Sequence, residues 1–267
     1  MNFIRVNGVS LHFEATGLGR DLPTIVFSNS LGTDLRIWDD VVRNLASDFS
    51  TITYDKRGHG LSDLGETPYT IDTHVDDLVG LLEYLGASQS IICGLSVGGL
   101  ISQGLYASRP DLVRALVLCD TASKIGDDTM WNNRIAAIKQ GSIESIADDI
   151  LSRWFTPGFR RDTNPLFSGS RNMLVRQSIP GYVATCSAIR DADLTTAARK
   201  IAVPTLCIVG EADGSTPPDL VAALAQSIPN ARYEVISDSG HIPCIEQPEA
   251  LAVLIRKFVQ ALPVGES

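Results

Sequence analysis

The run Ser90-Ile91-Ile92-Cys93-Gly94 passes without a break into Leu95-Ser96-Val97-Gly98-Gly99, and from Leu100 to Ala107 the pattern is helical. A buried strand that turns directly into a helix brings two backbones close together, which only small residues tolerate, and Gly94, Gly98 and Gly99 supply them. The turn places Ser96 at the end of a strand in strained geometry with its hydroxyl presented outward, the setting that G-x-S-x-G needs to carry a nucleophile. The alternative is a packing turn with no chemistry, so the rest of the chain has to supply a base and an acid.

Short apolar strands alternate with amphipathic helices on both sides of this turn. Phe3–Val6 and Val9–Glu14 flank Asn7-Gly8, a tight-hairpin signal. Thr24–Ser28, Thr51–Asp55, Ser90–Gly94, Ala115–Asp120, Thr205–Gly210 and Tyr233–Ser237 read as further strands. Helical spacing appears at Ile37/Val41/Leu45, at Ile71/Val75/Leu78/Leu82/Leu85 and from about Pro248 to Leu262. Continuous apolar strands separated by helices predict a mostly parallel eight-stranded sheet covered on both faces. From 122 to 196 the rhythm stops: helical fragments are broken at Thr156-Pro157-Gly158, Asn164-Pro165 and Ile179-Pro180-Gly181. The expected organisation is an α/β core formed by 1–121 and 197–267, with a helical cap, 122–196, inserted in it.

The chain has four histidines. His12 alternates with Leu11 and Phe13 and is expected at the surface. His74 lies beside Asp72, Asp76 and Asp77 and is expected in solvent. His59 sits in the turn Arg57-Gly58-His59-Gly60. His241 follows the last strand through Asp238-Ser239-Gly240, which places it at the carboxyl edge of the sheet with Ser96, where it can take the serine proton. Asp213, just beyond the strand Thr205–Gly210, is the expected acid, with Asp120, at the end of the preceding strand, as the alternative; Asp238 is too close to His241 in sequence. The oxyanion donors are expected to be the backbone amides of Val97 and of Leu31, in Asn29-Ser30-Leu31-Gly32.

At this point the chain resembles the α/β-hydrolase family over nearly its whole length. The resemblance rests on Gly94-Leu95-Ser96-Val97-Gly98-Gly99, Asp55-Lys56-Arg57-Gly58-His59-Gly60-Leu61-Ser62, Gly210-Glu211-Ala212-Asp213, and Gly240-His241 followed by Glu246-Gln247-Pro248. It implies the α/β-hydrolase fold and the chain order Ser96, Asp213, His241. Where many members carry His-Gly at the oxyanion loop, this chain has Asn29-Ser30. Within the family, four segments are similar to 3-oxoadipate enol-lactonases: Phe27–Thr33, Trp131–Ile135, Arg153–Pro157 and Gly181–Cys186. That likeness implies hydrolysis of a small anionic lactone in aromatic-compound degradation, with no metal and no organic cofactor. The substrate carboxylate then needs a cation, and Arg134 beside Trp131 is the expected one, with Arg153, Arg176 and Arg190 equal to it in charge. Trp131 and Trp154 are expected to line the pocket.

Rival readings are a carboxylesterase, a carbon–carbon bond hydrolase, a cofactor-free perhydrolase, or a non-catalytic binding protein on the same fold. Haloalkane dehalogenases and epoxide hydrolases are disfavoured because their turns carry Asp where this chain has Ser96. The net charge of −9 in 267 residues argues against nucleic acid as a partner. Residues 122–196 carry nine Lys/Arg against eight Asp/Glu. A mildly positive segment on an acidic protein suits an anionic ligand, but an imbalance of this size also arises by chance and selects nothing by itself. No apolar run is long enough to span a membrane, and the first residues show no basic-then-apolar leader. Five scattered cysteines, an odd number without a CxxC pair, point to a reduced protein, so a cytoplasmic location is expected. The oligomeric state is not legible.

Overall fold

A computed structural model describes residues 1–263. Its strands are β1 (Asn2–Val6), β2 (Val9–Thr16), β3 (Thr24–Ser28), β4 (Ser50–Tyr54), β5 (Ser90–Leu95), β6 (Val113–Cys119), β7 (Thr205–Gly210) and β8 (Arg232–Ile236). They form one sheet in the order β1-β2-β4-β3-β5-β6-β7-β8. β2 is antiparallel to both of its neighbours, and every pairing from β4 to β8 is parallel. This is the mostly parallel eight-stranded sheet expected from the apolar runs. The central strands β3 to β7 are buried along nearly their full length, because helices cover both faces and leave no solvent side to alternate toward.

The helices are α1 (Asp39–Leu45), α2 (Ile71–Leu85), α3 (Val97–Ser108), α4 (Asp128–Gln140), α5 (Ala147–Trp154), α6 (Pro165–Val175), α7 (Ile179–Asp191), α8 (Thr195–Ala198), α9 (Pro218–Ser227), α10 (Pro243–Glu246) and α11 (Pro248–Gln260). The helices α4 to α8 fall between β6 and β7, and no described strand interrupts them. Proline opens α6 and α7 near their first turns, and side chains of Asn164 and Ser178 cap them, so the prolines that break the pattern in sequence act as helix starts. No helix among the described residues is long and apolar enough to cross a membrane.

Two histidines differ from expectation. His12 is buried, not at the surface: the turn after β4 folds over β2, and His12 Nδ1–H donates to Asp55 Oδ2 at 2.8 Å. His74 is buried, not solvated. It falls on the stripe Ile71, His74, Val75, Leu78, Leu81 that α2 turns inward, while Asp72 and Asp76 face out. Burial pushes its imidazole down to about 3, reinforced by the charges of Lys56 and Arg57. Asp77, on the same helix, is buried with Arg57, which grips both carboxylate oxygens at 2.6 and 2.5 Å.

Candidate active site

β5 ends at Leu95 and α3 begins at Val97, so Ser96 alone makes the turn, with φ of 58°. For a non-glycine residue this is a strained conformation held by its surroundings. The Ser96 N–H donates to Cys119 O, and Thr121 Oγ1–H donates to Ser96 O at 2.7 Å. A Cβ on Gly98 would lie 2.1 Å from Ser28 O, and glycine there is what lets α3 approach β3.

Asp213 and His241 come from the loops after β7 and β8. Asp213 Oδ1 accepts the Ser215 and Thr216 amides at 2.7 and 3.0 Å; Oδ2 accepts Thr216 Oγ1–H at 2.6 Å and His241 Nδ1–H at 2.9 Å. Burial raises the carboxyl's pKa, but the His241 charge and the hydrogen bonds from His241 and Thr216 outweigh it and bring the group below the usual range. The imidazole is therefore oriented with Nε2 free, and its charged form has a counterion. Ser96 and His241 line one cavity without bonding each other.

Asp120, the alternative acid, is adjacent. Its oxygen, an Asp213 oxygen and a His241 nitrogen all lie within 4.8 Å of one another. Asp120 Oδ1 accepts the Gly210 amide at 2.8 Å, while Oδ2 is buried without a hydrogen-bond partner. Burial, then the Asp213 charge, holds this carboxyl well above the usual range, which favours the neutral form of Asp120 beside Asp213. Two carboxyls and an imidazole resemble a metal-ligand set, but one neutral acid and an already bonded Asp–His pair suit proton transfer better.

The cavity is lined by Ser30, Leu31, Ser96, Ile125, Met130, Trp131, Arg134, Arg153, Trp154, Tyr182, Ile189, Ser215 and His241. Neither the Leu31 nor the Val97 amide has a protein acceptor among the described residues. Gly32, with φ of 76°, lies directly under the helical insertion, where a Cβ would meet Leu174 and Tyr182 at 2.7 and 2.9 Å. Trp131 spends its N–H on Ile125 O at 2.7 Å, and its ring carries the Arg134 guanidinium 5.4 Å from its centre. Trp154 packs edge-on to Phe155.

The four candidate arginines separate cleanly. Arg134 lines the cavity and makes no ion pair among the described residues. Arg153 also lines it but is paired with Asp149, and Arg190 is held by Asp191 and Asn132. Arg176 lines a different groove of about 870 Å³, which contains neither Ser96 nor His241. The cavity at Ser96 is much smaller, about 40 Å³. Five wall residues escaped the sequence analysis, Ile125, Met130, Tyr182, Ile189 and Ser215; Tyr182 is buried with no partner for its hydroxyl among the described residues, and nothing local to Gly181-Tyr182-Val183 distinguishes it from a packing tyrosine.

The chain matches the model of the alpha/beta hydrolase fold family over residues 23–248. It is 34% identical to 3-oxoadipate enol-lactonase 2 of Acinetobacter baylyi, over 91% of this chain and 90% of that one. The solved enol-lactonase of Burkholderia xenovorans LB400 superposes with a TM-score of 0.93 at 36% identity, over 97% of this chain and 100% of the other. A thermophilic esterase from Thermogutta terrifontis superposes with a TM-score of 0.91 at 27% identity, over 99% and 100%. A serine at a strained strand–helix turn, an Asp–His pair on the next strand ends and these likenesses lead to one conclusion: the chain belongs to the α/β-hydrolase family.

Proposed function

We propose that this protein opens 3-oxoadipate enol-lactone to 3-oxoadipate through an acyl-enzyme on Ser96. The observation that carries the reading is Arg134: a guanidinium with no ion pair among the described residues, in the same cavity as Ser96 and His241, in a chain similar to enol-lactonases. His241, oriented by Asp213, removes the Ser96 proton as Oγ attacks the lactone carbonyl. The Leu31 and Val97 amides receive the developing oxyanion. The ring C–O bond breaks and the leaving oxygen departs as an enolate, which takes a proton and becomes a ketone. Ketonisation makes the ring opening hard to reverse. Water, deprotonated by His241, then attacks the acyl-enzyme and releases the second carboxylate together with Ser96. Arg134 holds the carboxylate already present in the substrate, with Trp131 and Trp154 forming apolar wall around it. Residues 122–196 act as the cap that closes this space, and the five free, buried cysteines fit a reducing, cytoplasmic setting.

The test compares initial rates on the enol-lactone and on a neutral aryl ester for wild type, Arg134→Gln and Ser96→Ala. The expected result is a strong preference for the lactone and loss of both activities in Ser96→Ala. Arg134→Gln should lose about 10- to 100-fold in lactone kcat/KM, the scale of a charge-assisted hydrogen bond of about 1.5–3 kcal/mol, with the neutral ester almost unaffected. A preference for neutral esters, unchanged by Arg134→Gln, would select a general carboxylesterase, the second reading that the likeness to the thermophilic esterase favours.

A further inference from the structure

Lys56 is a basic side chain with no carboxylate partner among the described residues. It lies in the turn after β4, is 1% exposed, and makes no ion pair among the described residues. Its neighbours are spent elsewhere. Asp55 accepts from His12, from the Leu35 amide and from the Leu61 amide. Asp34 accepts from Arg36. Burial lowers the Lys56 ammonium to about 7 in spite of the fields of Asp55 and Asp34. Keeping a lysine in such a place is unfavourable unless it does something a methionine would not.

What it does is donate to one atom. Lys56 Nζ lies 2.6 Å from Ser30 O, and Thr33 Oγ1–H donates to the same oxygen at 2.9 Å. That carbonyl and the Leu31 N–H belong to a single peptide group. The group is planar and trans, so its C=O and N–H point in opposite directions. Two donors gripping the oxygen from the core side hold the N–H on the cavity side, where Ser30 and Leu31 form part of the wall. As a neutral amine Lys56 still donates to this oxygen, and when protonated it also draws electron density from the nitrogen, making the N–H a stronger donor.

We propose that Lys56 is a positioning residue for the oxyanion hole: its ammonium fixes and polarises the Ser30–Leu31 peptide so that the Leu31 N–H faces the reacting carbonyl. This rests on the reading of Leu31 as an oxyanion donor to a substrate held on Ser96. Lys56 itself touches no reacting atom. It takes up, from within the core, the task of keeping the atypical Asn29-Ser30 loop in a single orientation, together with the Asn29 Nδ2–H bond to Thr33 O at 2.6 Å.

The test uses Lys56→Met, which keeps length and apolar bulk, and Lys56→Gln, which keeps a neutral donor. Exchanging a desolvated charge for an apolar chain leaves stability equal or higher, so a purely structural lysine predicts a folded, fully active Lys56→Met. The proposal predicts a folded enzyme with kcat on the enol-lactone about 10- to 100-fold lower and KM within about threefold, less than the loss from deleting an oxyanion donor outright. Phenylboronic acid, which forms a tetrahedral adduct on an active serine, should lose affinity by the same factor, while the product 3-oxoadipate, a ground-state ligand, binds as before. Lys56→Gln should fall between wild type and Lys56→Met. If Lys56→Met does not fold, Lys56→Gln and Thr33→Val, each removing part of the grip on Ser30 O, carry the test in the same assays. Unchanged kcat and boronate affinity in a folded variant overturn the role of Lys56. Boronate that binds wild type and Ser96→Ala alike overturns the underlying reading of the site instead.

Discussion

Replacing Asp213 by asparagine is the perturbation that most sharply separates the two buried acids. The introduced carboxamide can keep its oxygen on the Ser215 and Thr216 amides, but its NH2 then stands where Oδ2 accepts from His241 and Thr216. An amide N–H facing Nδ1 forces the imidazole into the tautomer with its proton on Nε2, which cannot take the Ser96 proton. The imidazolium also loses its counterion. The expected loss is about 10³- to 10⁴-fold in kcat, or about 4–5.5 kcal/mol of barrier. Asp120 limits the damage. Burial first and the Asp213 charge second hold its carboxyl above the usual range, so removing that charge takes away one of the two causes that oppose its ionising within 4.8 Å of His241. The residual kcat of Asp213→Asn should therefore rise with pH through an ionisation the wild type lacks. Asp120→Asn alone exchanges one neutral group for another and should stay within about fivefold of wild type, while the double variant should fall about tenfold below Asp213→Asn, a non-additive pair as expected for groups in contact. The assay is kcat on the enol-lactone from pH 5 to 9 for all four proteins. Equal losses in the two single variants would refute the assignment of Asp213 as the ionised acid. A double variant no slower than Asp213→Asn, with a flat pH profile, would refute the substitution of one acid for the other.

Two further outcomes follow from groups outside the reacting centre. His59 and His74 are fully buried and held neutral, with folded pKa values below that of the unfolded chain. Their contribution is complete above about 6.5 and is lost as pH falls toward the folded value; His74, at about 3, accounts for about 2 kcal/mol at pH 5. Urea unfolding at pH 5 and pH 8 should show this loss, with a shallower slope in His74→Gln, and a wild-type unfolding free energy that is flat from pH 7 to 5 would refute it. Glu246 Oε2 accepts the Gly240 amide at 2.8 Å, and Oε1 accepts both the amide and the hydroxyl of Thr156. Glu246→Gln should cost about 1–2 kcal/mol of stability and about tenfold in kcat with little change in KM, since it loosens the loop carrying His241; a loss confined to KM would contradict this.

The strands and the serine turn were legible because they obey local rules. β5 reads Ser-Ile-Ile-Cys-Gly-Leu, buried throughout, and a parallel strand covered on both faces is a continuous apolar run in any sequence. The histidines show where local rules stop. His12 obeys strand alternation, yet the turn that buries it is 43 residues away at Asp55. His74 sits at helical spacing from Ile71 and Leu78, a signal that was present but was outweighed by three neighbouring aspartates, one of which, Asp77, is itself buried on Arg57. Nothing in its turn marks Lys56 as buried, because its partner, Ser30 O, lies 26 residues back and is a backbone atom with no side-chain signature. The four candidate arginines of 122–196 are equivalent in charge; pairing in space takes up Arg153 and Arg190, and position takes Arg176 to another groove, which leaves Arg134 in the cavity without an ion pair among the described residues.

The same long-range contacts join two tasks that look separate in sequence, with chemistry in the core and substrate choice in the insertion. The end of α5 is stitched to the loops that carry Asp213 and His241. The Trp154 carbonyl accepts the His241 amide at 2.8 Å, the Arg153 carbonyl accepts the Gly214 amide at 3.1 Å, and Thr156 is tied to Gly240 through Glu246. Gly240 packs so tightly on this segment that a Cβ would lie 2.3 Å from Trp154 O. The residues beside Asp213 and His241 are thus anchored on the backbone of the segment that supplies Trp154 to the cavity wall. A change in the insertion that shifts α5 moves Asp213 and His241 along with the wall, because two of these ties are backbone bonds that no side-chain substitution removes, and only the third depends on the Glu246 side chain. Grafting another family member's insertion onto this core therefore alters kcat as well as specificity unless the 153–156 backbone is kept in register with Gly214 and His241, which makes that short segment, rather than the boundary at 122 or 196, the true limit between what can vary and what cannot.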